Sequence, residues 1–236
     1  MRGYLGARWA VVAAWCLWLA GCGQREFGLQ VRIPAEDRLT ISQAVQQHLT
    51  LRLPDQPFNV HLKQSGQAPG PAGQARGESD ATADGKAFCR AVASDGGTAW
   101  AEFQLGHALE NRGQAPLQAT IRISVDYAHQ AVANPTEAPE TLATLALKLY
   151  LKDSVGRIVH RQMLAELTSD EGPSNRAGQQ RIEFDASLQP GLGYDLILAG
   201  RASARSQPHS SASAEIQIRQ LTAELLCRPA KQTAAR

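Results

Sequence analysis

The stretch IEFDASLQPGLGYDLILAGRA, residues 182–202, contains two runs of alternating apolar and polar residues on either side of a proline-glycine pair. Such alternation is typical of a β-strand with one face towards a core and the other towards solvent. Pro190 and Gly191 favour a turn, because proline fixes φ and glycine tolerates positive φ. The stretch therefore predicts two strands joined at a corner. Their inward-facing positions are Ile182, Phe184, Ala186 and Leu188, then Tyr194, Leu196, Leu198, Gly200 and Ala202.

The same period of two recurs on both sides of this stretch. Further runs begin near Phe103, Ile121, Ala143 and Ile216. Segments rich in turn-forming residues separate them, namely 110–116, 152–157 and 206–211. About seven short strands joined by such turns predict an all-β fold, an antiparallel β-sandwich over residues 87–230.

The corner itself is more specific than the alternation. Leu188, Pro190, Gly191 and Tyr194 form an L-x-P-G-x-x-Y pattern. This pattern resembles the corner of fibronectin type III and related immunoglobulin-like domains. The resemblance implies an immunoglobulin-like sandwich in which the tyrosine hydroxyl bonds back to the backbone and fixes how the chain changes sheets. It implies nothing about activity.

The first 22 residues have the pattern of a leader. Arg2 and Arg8 precede an uninterrupted apolar run over 9–20, which is too short to span a bilayer comfortably. The string LAGC at 19–22 resembles the lipobox of bacterial lipoproteins. The resemblance implies removal of residues 1–21 and lipid attachment at Cys22, with a location in the cell envelope facing the periplasm or the surface. By the same resemblance, Gly23 rather than Asp after the cysteine implies the outer membrane, as in enteric-type bacteria. The alternative is a buried N-terminal helix.

Three further segments complete the predicted organisation. Residues 22–63 form a short N-terminal extension that docks on the main domain, and the part from 39 to 53 fits either a helix or a strand. Residues 64–86 contain no large apolar side chain, so they predict a flexible linker or long loop. Residues 231–236 predict a disordered tail.

Two cysteines remain after the leader and the lipidated residue are set aside, Cys89 and Cys227. In an oxidising compartment such a pair is expected to form a disulfide, here closing one long loop around the main domain. A metal site is a poor alternative, because neither cysteine has a Cys or His neighbour at ligand spacing. The sequence therefore predicts a disulfide and no metal.

Charge restricts the classes of partner. The chain has 24 Lys and Arg against 22 Asp and Glu, and removal of residues 1–21 takes away two arginines and no acid. The mature chain is therefore formally neutral, which argues against nucleic acid as a partner. The membrane contact is expected through the lipid anchor alone.

No motif for catalysis or for a cofactor is present, and the six histidines are scattered. The carboxylates of Glu183 and Asp185 share a polar strand face, which is ordinary for solvated residues. We therefore expect a non-enzyme without cofactors, with a binding or structural role in an assembly with another envelope protein. The alternative is a carbohydrate- or peptidoglycan-binding module, with Trp100 and Tyr150 stacking on sugar rings in one groove. The third hypothesis is an enzyme of unrecognised type.

Overall fold

A computed structural model describes residues 35–41, 49–134, 140–169 and 174–230. The predicted leader, the predicted lipidation residue Cys22 and the predicted tail 231–236 lie outside these described residues. The chain divides into a unit of residues Met1–Gln30 and a unit of Val31–Arg236, and the fold described below belongs to the second. Within the described ranges no helix has the length and apolar character needed to span a bilayer.

The described residues form one short 3₁₀ turn, Ala35–Asp37, and twelve strands. The strands are β1 (Leu39–Ile41), β2 (Leu49–Leu53), β3 (Val60–Ala68), β4 (Ala75–Ala81), β5 (Ala87–Ser94), β6 (Thr98–Asn111), β7 (Leu117–Asn134), β8 (Leu142–Asp153), β9 (Ile158–Thr168), β10 (Ser174–Leu188), β11 (Gly193–Arg205) and β12 (Ser211–Pro229).

The strands form two six-stranded sheets that face each other. In the first sheet the order is β1-β6-β11-β8-β9, with β3 also paired to β6. In the second sheet the order is β10-β7-β12-β5-β4, with β2 also paired to β12. All pairs are antiparallel except β1 with β6, which is parallel. The all-β, mostly antiparallel sandwich predicted from the sequence is confirmed.

The core lies between the inner faces of the two sheets. On β8 every second residue from Ala143 to Leu151 is buried, and on β7 the same holds from Leu117 to Ala131. Each strand contributes its odd positions, because successive side chains point to opposite faces. The alternation read from the sequence is therefore the inward face of the sandwich.

The N-terminal extension contributes strands to both sheets. The described parts of 39–53 are strands, β1 beside β6 and β2 beside β12. The Arg38 guanidinium lies 2.8 Å from the Asp195 carboxylate, and both side chains are almost fully buried. The side-chain amide of Asn59 donates through its nitrogen to the Ala108 carbonyl and accepts through its oxygen from the Ala108 N–H. These polar contacts hold the start of the described chain against β6 and β11.

The prediction of a flexible linker or loop over residues 64–86 is wrong for the parts that form β3 and β4. β3 pairs with β6 from Val60 to Ala68, and β4 pairs with β5 along its whole length. These strands hold their place through backbone hydrogen bonds and close packing rather than through large apolar side chains. A polar composition therefore did not prevent them from adding an edge strand to each sheet.

β3 and β4 bring the two sheets together along one long side, which we call the closed edge. A Cβ on Gly77 of β4 would lie 2.3 Å from the carbonyl oxygen of Trp100, so only glycine allows this approach. The Ser79 hydroxyl donates to the carbonyl of Gln64, and Lys63 pairs with Asp80 at 2.6 Å. The closed edge thus joins the sheets by backbone proximity and an exposed ion pair.

The corner at 188–194 joins β10 of one sheet to β11 of the other. Tyr194 is fully buried, and its hydroxyl accepts a hydrogen bond of 2.6 Å from the backbone N–H of Gln189. Gly191 has a φ of +73°, in the region that favours glycine. Pro190 lies between Gln189 and Gly191 in the sequence, and Leu188 is buried in the core. The structure thus contains the backbone contact that the tyrosine corner implies.

The predicted disulfide between Cys89 and Cys227 is wrong, because both are free, buried thiols. Cys89 lies opposite Ile216 on β12, whereas Cys227 belongs to β12 itself, eleven residues further along. At about 3.3 Å per residue the two positions are separated by about 35 Å. Burial raises the pKa of both thiols, to about 11 for Cys227.

A row of alternating charges crosses the outer face of the second sheet. Arg52 on β2 pairs with Glu224 on β12 at 3.1 Å, and Glu224 lies 3.6 Å from Arg122 on β7. Arg122 pairs in turn with Glu183 on β10 at 2.9 Å. Four neighbouring strands each contribute one member, and every member stands directly opposite the next in the pairing register. We call this set the charge row.

Candidate functional site

The side of the sandwich opposite the closed edge ends in β9 and β10, and we call it the open edge. β9 is the last strand of the first sheet and β10 the last strand of the second. A groove of about 360 Å³ lies between them. Its ten lining residues are Tyr127, His129, Leu164, Ala165, Glu166, Leu167, Arg176, Ala177, Gly178 and Gln180.

The groove exists because the inner face of β10 changes character along its length. Opposite the apolar residues of β7, β10 presents Ile182 and Phe184 to the core. Further towards the start of β10 the same face presents Gln180, Gly178 and Arg176. Residues without apolar bulk, or with charge, cannot fill the space between the sheets. The sandwich therefore opens at this half of the edge.

β9 forms the opposite wall, and two irregularities shape it. The register with β8 skips Leu164 and Val159, which marks a bulge at each position. At the first bulge the carbonyl of Leu164 accepts a hydrogen bond of 3.3 Å from the Gln180 side chain. Gln180 also donates to the Tyr127 hydroxyl at 3.0 Å. Gln180 thus connects β9 with β10 and β7 at one end of the groove.

A ring stack connects the two walls further along. His160 of β9 and Phe184 of β10 have ring centroids 3.7 Å apart, with the planes inclined by 5°. Burial lowers the pKa of His160, and Gln162 opposes this with a hydrogen bond. The stack and Gln180 together limit the groove to the part of the open edge around residues 176–180.

His129 forms part of the groove floor. It is 6 % exposed, its ring stacks on Tyr127 at 5.7 Å, and its buried Nδ1 has no hydrogen-bond partner among the described residues. Burial, and secondarily the nearby charge of Arg176, lower the pKa of His129. The imidazole is therefore neutral at pH 7, with a polar atom that the described residues leave without a partner.

The charges around the groove are unequal. Arg176 stands opposite His129 in the register and shares its inward face. Within the described part of the chain no carboxylate lies within 4.0 Å of Arg176. Glu166 also lines the groove, but it stands opposite Ala146, whose position belongs to the outer face of the first sheet. Among the described residues that line the groove, Arg176 is thus the one inward cation, and none is an inward carboxylate.

Trp100 and Tyr150, predicted as stacking residues, share the outer face of the first sheet but not one groove. Trp100 stands opposite Ser203, and Ser203 stands opposite Thr144 of β8, six residues before Tyr150. Six residues of strand measure about 20 Å. The Trp100 ring lies over Gly66, where a Cβ would come within 2.6 Å of its Nε1. Trp100 therefore packs on β3, and the condition that favoured a glycan site is not met.

The other polar residues considered in the sequence do not assemble a site. Glu183 pairs with Arg122, and Asp185 accepts a hydrogen bond from Thr120 at 2.6 Å. His107 is buried on β6, where burial lowers its pKa to about 4. Across the described ranges no cluster of three His, Cys, Asp or Glu residues has the geometry to hold a metal ion.

Sequence reasoning missed the groove residues Arg176, Gly178 and Gln180. The strand was read from Ile182, where apolar alternation starts, although β10 begins at Ser174. A signal was present in the even positions, because 176, 178 and 180 continue the inward register without an apolar residue. Polar residues in phase with a core face are the pattern that marks an opening in a sandwich.

Comparison with known proteins gives only weak structural similarities. No protein family and no curated protein matches the chain. Among solved structures, one from a study of carbohydrate-binding modules of the β-sandwich superfamily is 10 % identical over 67 % of this chain and 55 % of that chain, with a TM-score of 0.18. The VP2 protein of infectious bursal disease virus is 11 % identical over 79 % of this chain and 37 % of that chain, with a TM-score of 0.20. The chain thus spans about half, and just over a third, of these structures. No ligand or activity follows from similarity at this level.

Proposed function

We propose that this chain is a lipid-anchored protein of the bacterial cell envelope, without catalytic activity, whose sandwich binds an extended segment of another envelope protein along its open edge. The lipobox-like string ending at Cys22 supports the anchor, and Gly23 after it supports an outer-membrane location. The open edge supports the binding role. The observation that carries the proposal is a long edge strand, β10, that borders an unfilled groove.

β10 is suited to accept an added strand. Among the described residues it pairs only with β7, and that pairing runs through fifteen consecutive residues without a bulge. It contains no proline. An edge of this kind presents unpaired N–H and C=O groups in a regular row, which is the template for β-augmentation.

β9 is a poorer template and serves better as the facing wall. Its two bulges interrupt the regular spacing of backbone groups. It leaves Ile158 44 % and Met163 40 % exposed. A strand added beside β10 would place alternate side chains in the groove, against Leu164 and Leu167 of β9. Pairing gives affinity and the groove gives specificity.

The experiment that tests the binding role places a photo-crosslinking amino acid at Ala177 in the full-length protein in cells. We expect crosslinking to one extended segment of an envelope protein, mapped by mass spectrometry. Gly178→Leu fills the groove, since nothing lies within 4 Å of a Cβ at this position, and should abolish the crosslink. Gln179→Leu places the same leucine side chain on the opposite face of β10 and should retain the crosslink. A crosslink that Gly178→Leu leaves intact would contradict the proposal.

The anchor is tested separately from the groove. Metabolic labelling with a fatty acid should mark the wild-type protein and fail to mark Cys22→Ser. The variant should also leave the membrane fraction or retain its leader. Membrane-bound, processed Cys22→Ser would remove the anchor from the proposal while leaving the groove experiment unaffected.

A further inference from the structure

The floor of the groove offers donors that the fold does not use. The Tyr127 hydroxyl accepts its hydrogen bond from Gln180, so its own proton remains available to a ligand. The buried Nδ1 of His129 has no partner among the described residues, and as an N–H tautomer it donates. Arg176 adds a guanidinium on the same inward face. All three residues line the groove.

Two acceptors that line the groove are engaged or belong to another face. The carbonyl of Leu164 receives the Gln180 side chain. Glu166 belongs to the outer face, where its charge raises the pKa of Lys148 against the larger effect of burial. A cation entering the groove would meet Arg176, whereas an anion would meet three groups that can donate to it. The charges of the described groove residues therefore favour an anion.

The apolar wall defines what must carry the anion. Leu164, Ala165 and Leu167 of β9 face the polar side of the groove. An inorganic anion would leave this wall in contact with water. A carboxylate at the end of a short aliphatic stem would cover the wall with its methylene groups and place its oxygens near Arg176 and the floor.

We propose that the groove binds a carboxylate on a short aliphatic stem, supplied by an acidic side chain of the docking strand. This inference rests on the proposed binding of an extended segment along β10. Arg176 forms a two-pronged ion pair with the carboxylate, since the guanidinium fork matches its two oxygens. His129 and Tyr127 donate to the oxygen that points to the floor. A peptide with glutamine at this position lacks the charge and binds more weakly.

The test uses propionate as the probe and propionamide as its uncharged match. The full-length protein in detergent, with ¹⁵N-labelled histidine, is titrated with each compound while the imidazole signals are followed by NMR. The His129 signal is assigned through His129→Gln. We expect propionate to shift the His129 signal saturably and propionamide to cause at most a tenth of the effect at equal concentration.

Two arginine variants show whether the charge of Arg176 is responsible. Arg176→Gln should weaken propionate binding at least tenfold. Arg181 lies on the same strand but on its exposed outer face, so Arg181→Gln should leave the titration unchanged. Equal responses to propionate and propionamide, or full binding by Arg176→Gln, would overturn the inference.

The failure of this inference is distinct from that of the proposed function. If propionate fails while the Ala177 crosslink is present and sensitive to Gly178→Leu, strand docking stands and the carboxylate assignment is wrong. If the crosslink is absent or insensitive to Gly178→Leu, strand docking is wrong, and the acidic side chain proposed here loses its source.

Discussion

The closed edge and the open edge both contain polar, glycine-bearing strand segments and end the sandwich in opposite ways. β3, β4 and the first half of β10 contain Gly, Gln or Ser together with charged residues, whereas β9 contains neither Gly nor Ser. At the closed edge Gly77 lets the backbones of the facing sheets come together, and within the first sheet the Trp100 ring covers Gly66. At the open edge Gly178 has empty space beside it. The same residue type thus marks contact on one side and a gap on the other.

The difference lies in what faces the glycine. Gly77 meets the backbone of β6 and β3, and Gly66 meets an indole ring. Gly178 lies between Arg176 and Gln180, which face a wall displaced by the β9 bulge. A polar stretch therefore says little about edge structure until the partner strand is known. The two edges can be distinguished by the same substitution made in each.

Gly77→Val should break the closed edge and give the largest loss of stability. Its Cβ would lie 2.3 Å from the Trp100 carbonyl oxygen, so the sheets must separate. We expect a loss of more than about 3 kcal/mol in the free energy of unfolding, measured with urea. Gly178→Val, at the open edge, should change it by less than about 0.5 kcal/mol. Equal losses would show that the two edges do not differ as described.

Acid should destabilise the protein through its buried histidines. His107 has a pKa of about 4 in the fold and about 6.5 in the unfolded chain, so the unfolded chain binds more protons between these values. The stabilisation is complete above pH 6.5 and is lost as the pH falls towards 4, by up to about 3 kcal/mol.

His107→Gln separates this contribution from that of the open edge. The variant should lose most of the pH dependence between 6.5 and 4, measured by urea unfolding at each pH. The remaining dependence should have the same sign, because burial also lowers the pKa of His129 and His160. An unchanged pH profile would contradict the assignment to His107.

Tyr194→Phe should destabilise the corner by about 1–2 kcal/mol. The variant leaves the Gln189 N–H without the acceptor that the hydroxyl provides. Tyr127→Phe at the open edge removes only the hydrogen bond from Gln180, whose side chain still donates to the Leu164 carbonyl. The free energy of unfolding measured with urea should therefore fall less for Tyr127→Phe than for Tyr194→Phe. A larger loss for Tyr127→Phe would reverse the expected ranking.

Gln180→Ala should have the smallest global effect, below about 1 kcal/mol, and a local one. It removes the hydrogen bonds from β10 to Leu164 of β9 and to Tyr127. Hydrogen exchange should accelerate in segments 160–167 and 174–182 and remain unchanged at the closed edge. Gln179→Ala, on the outer face, serves as the matched variant. Acceleration at both edges would mean that the open edge is not an independent unit.

The sequence was sufficient where a strand alternates apolar and polar residues. The inward positions of β7, β8, β11 and the second half of β10 were read correctly from their period of two. The corner at Tyr194 could be located because its residue types are tied to one backbone geometry. These features depend on local pattern, which a single sequence contains.

The sequence was insufficient where structure depends on the partner strand. β3 and β4 are stabilised by backbone pairing and by glycine contacts that no local pattern indicates. Cys89 and Cys227 were paired on compartment and number alone, and their separation along β12 emerges only from the register. The groove needs both sheets, because one supplies its floor and the other its wall. Long-range pairing decides each of these cases.

The charge row has a consequence for how the strands find their alignment. Sliding β10 by two residues along β7 keeps every apolar side chain on the inner face, so core burial discriminates weakly against that error. In one direction the slide brings Arg181 opposite Arg122 in place of Glu183. A similar slide of β12 separates Arg122 from Glu224. Surface ion pairs that add little to stability can therefore favour the correct strand register during assembly of the sheet.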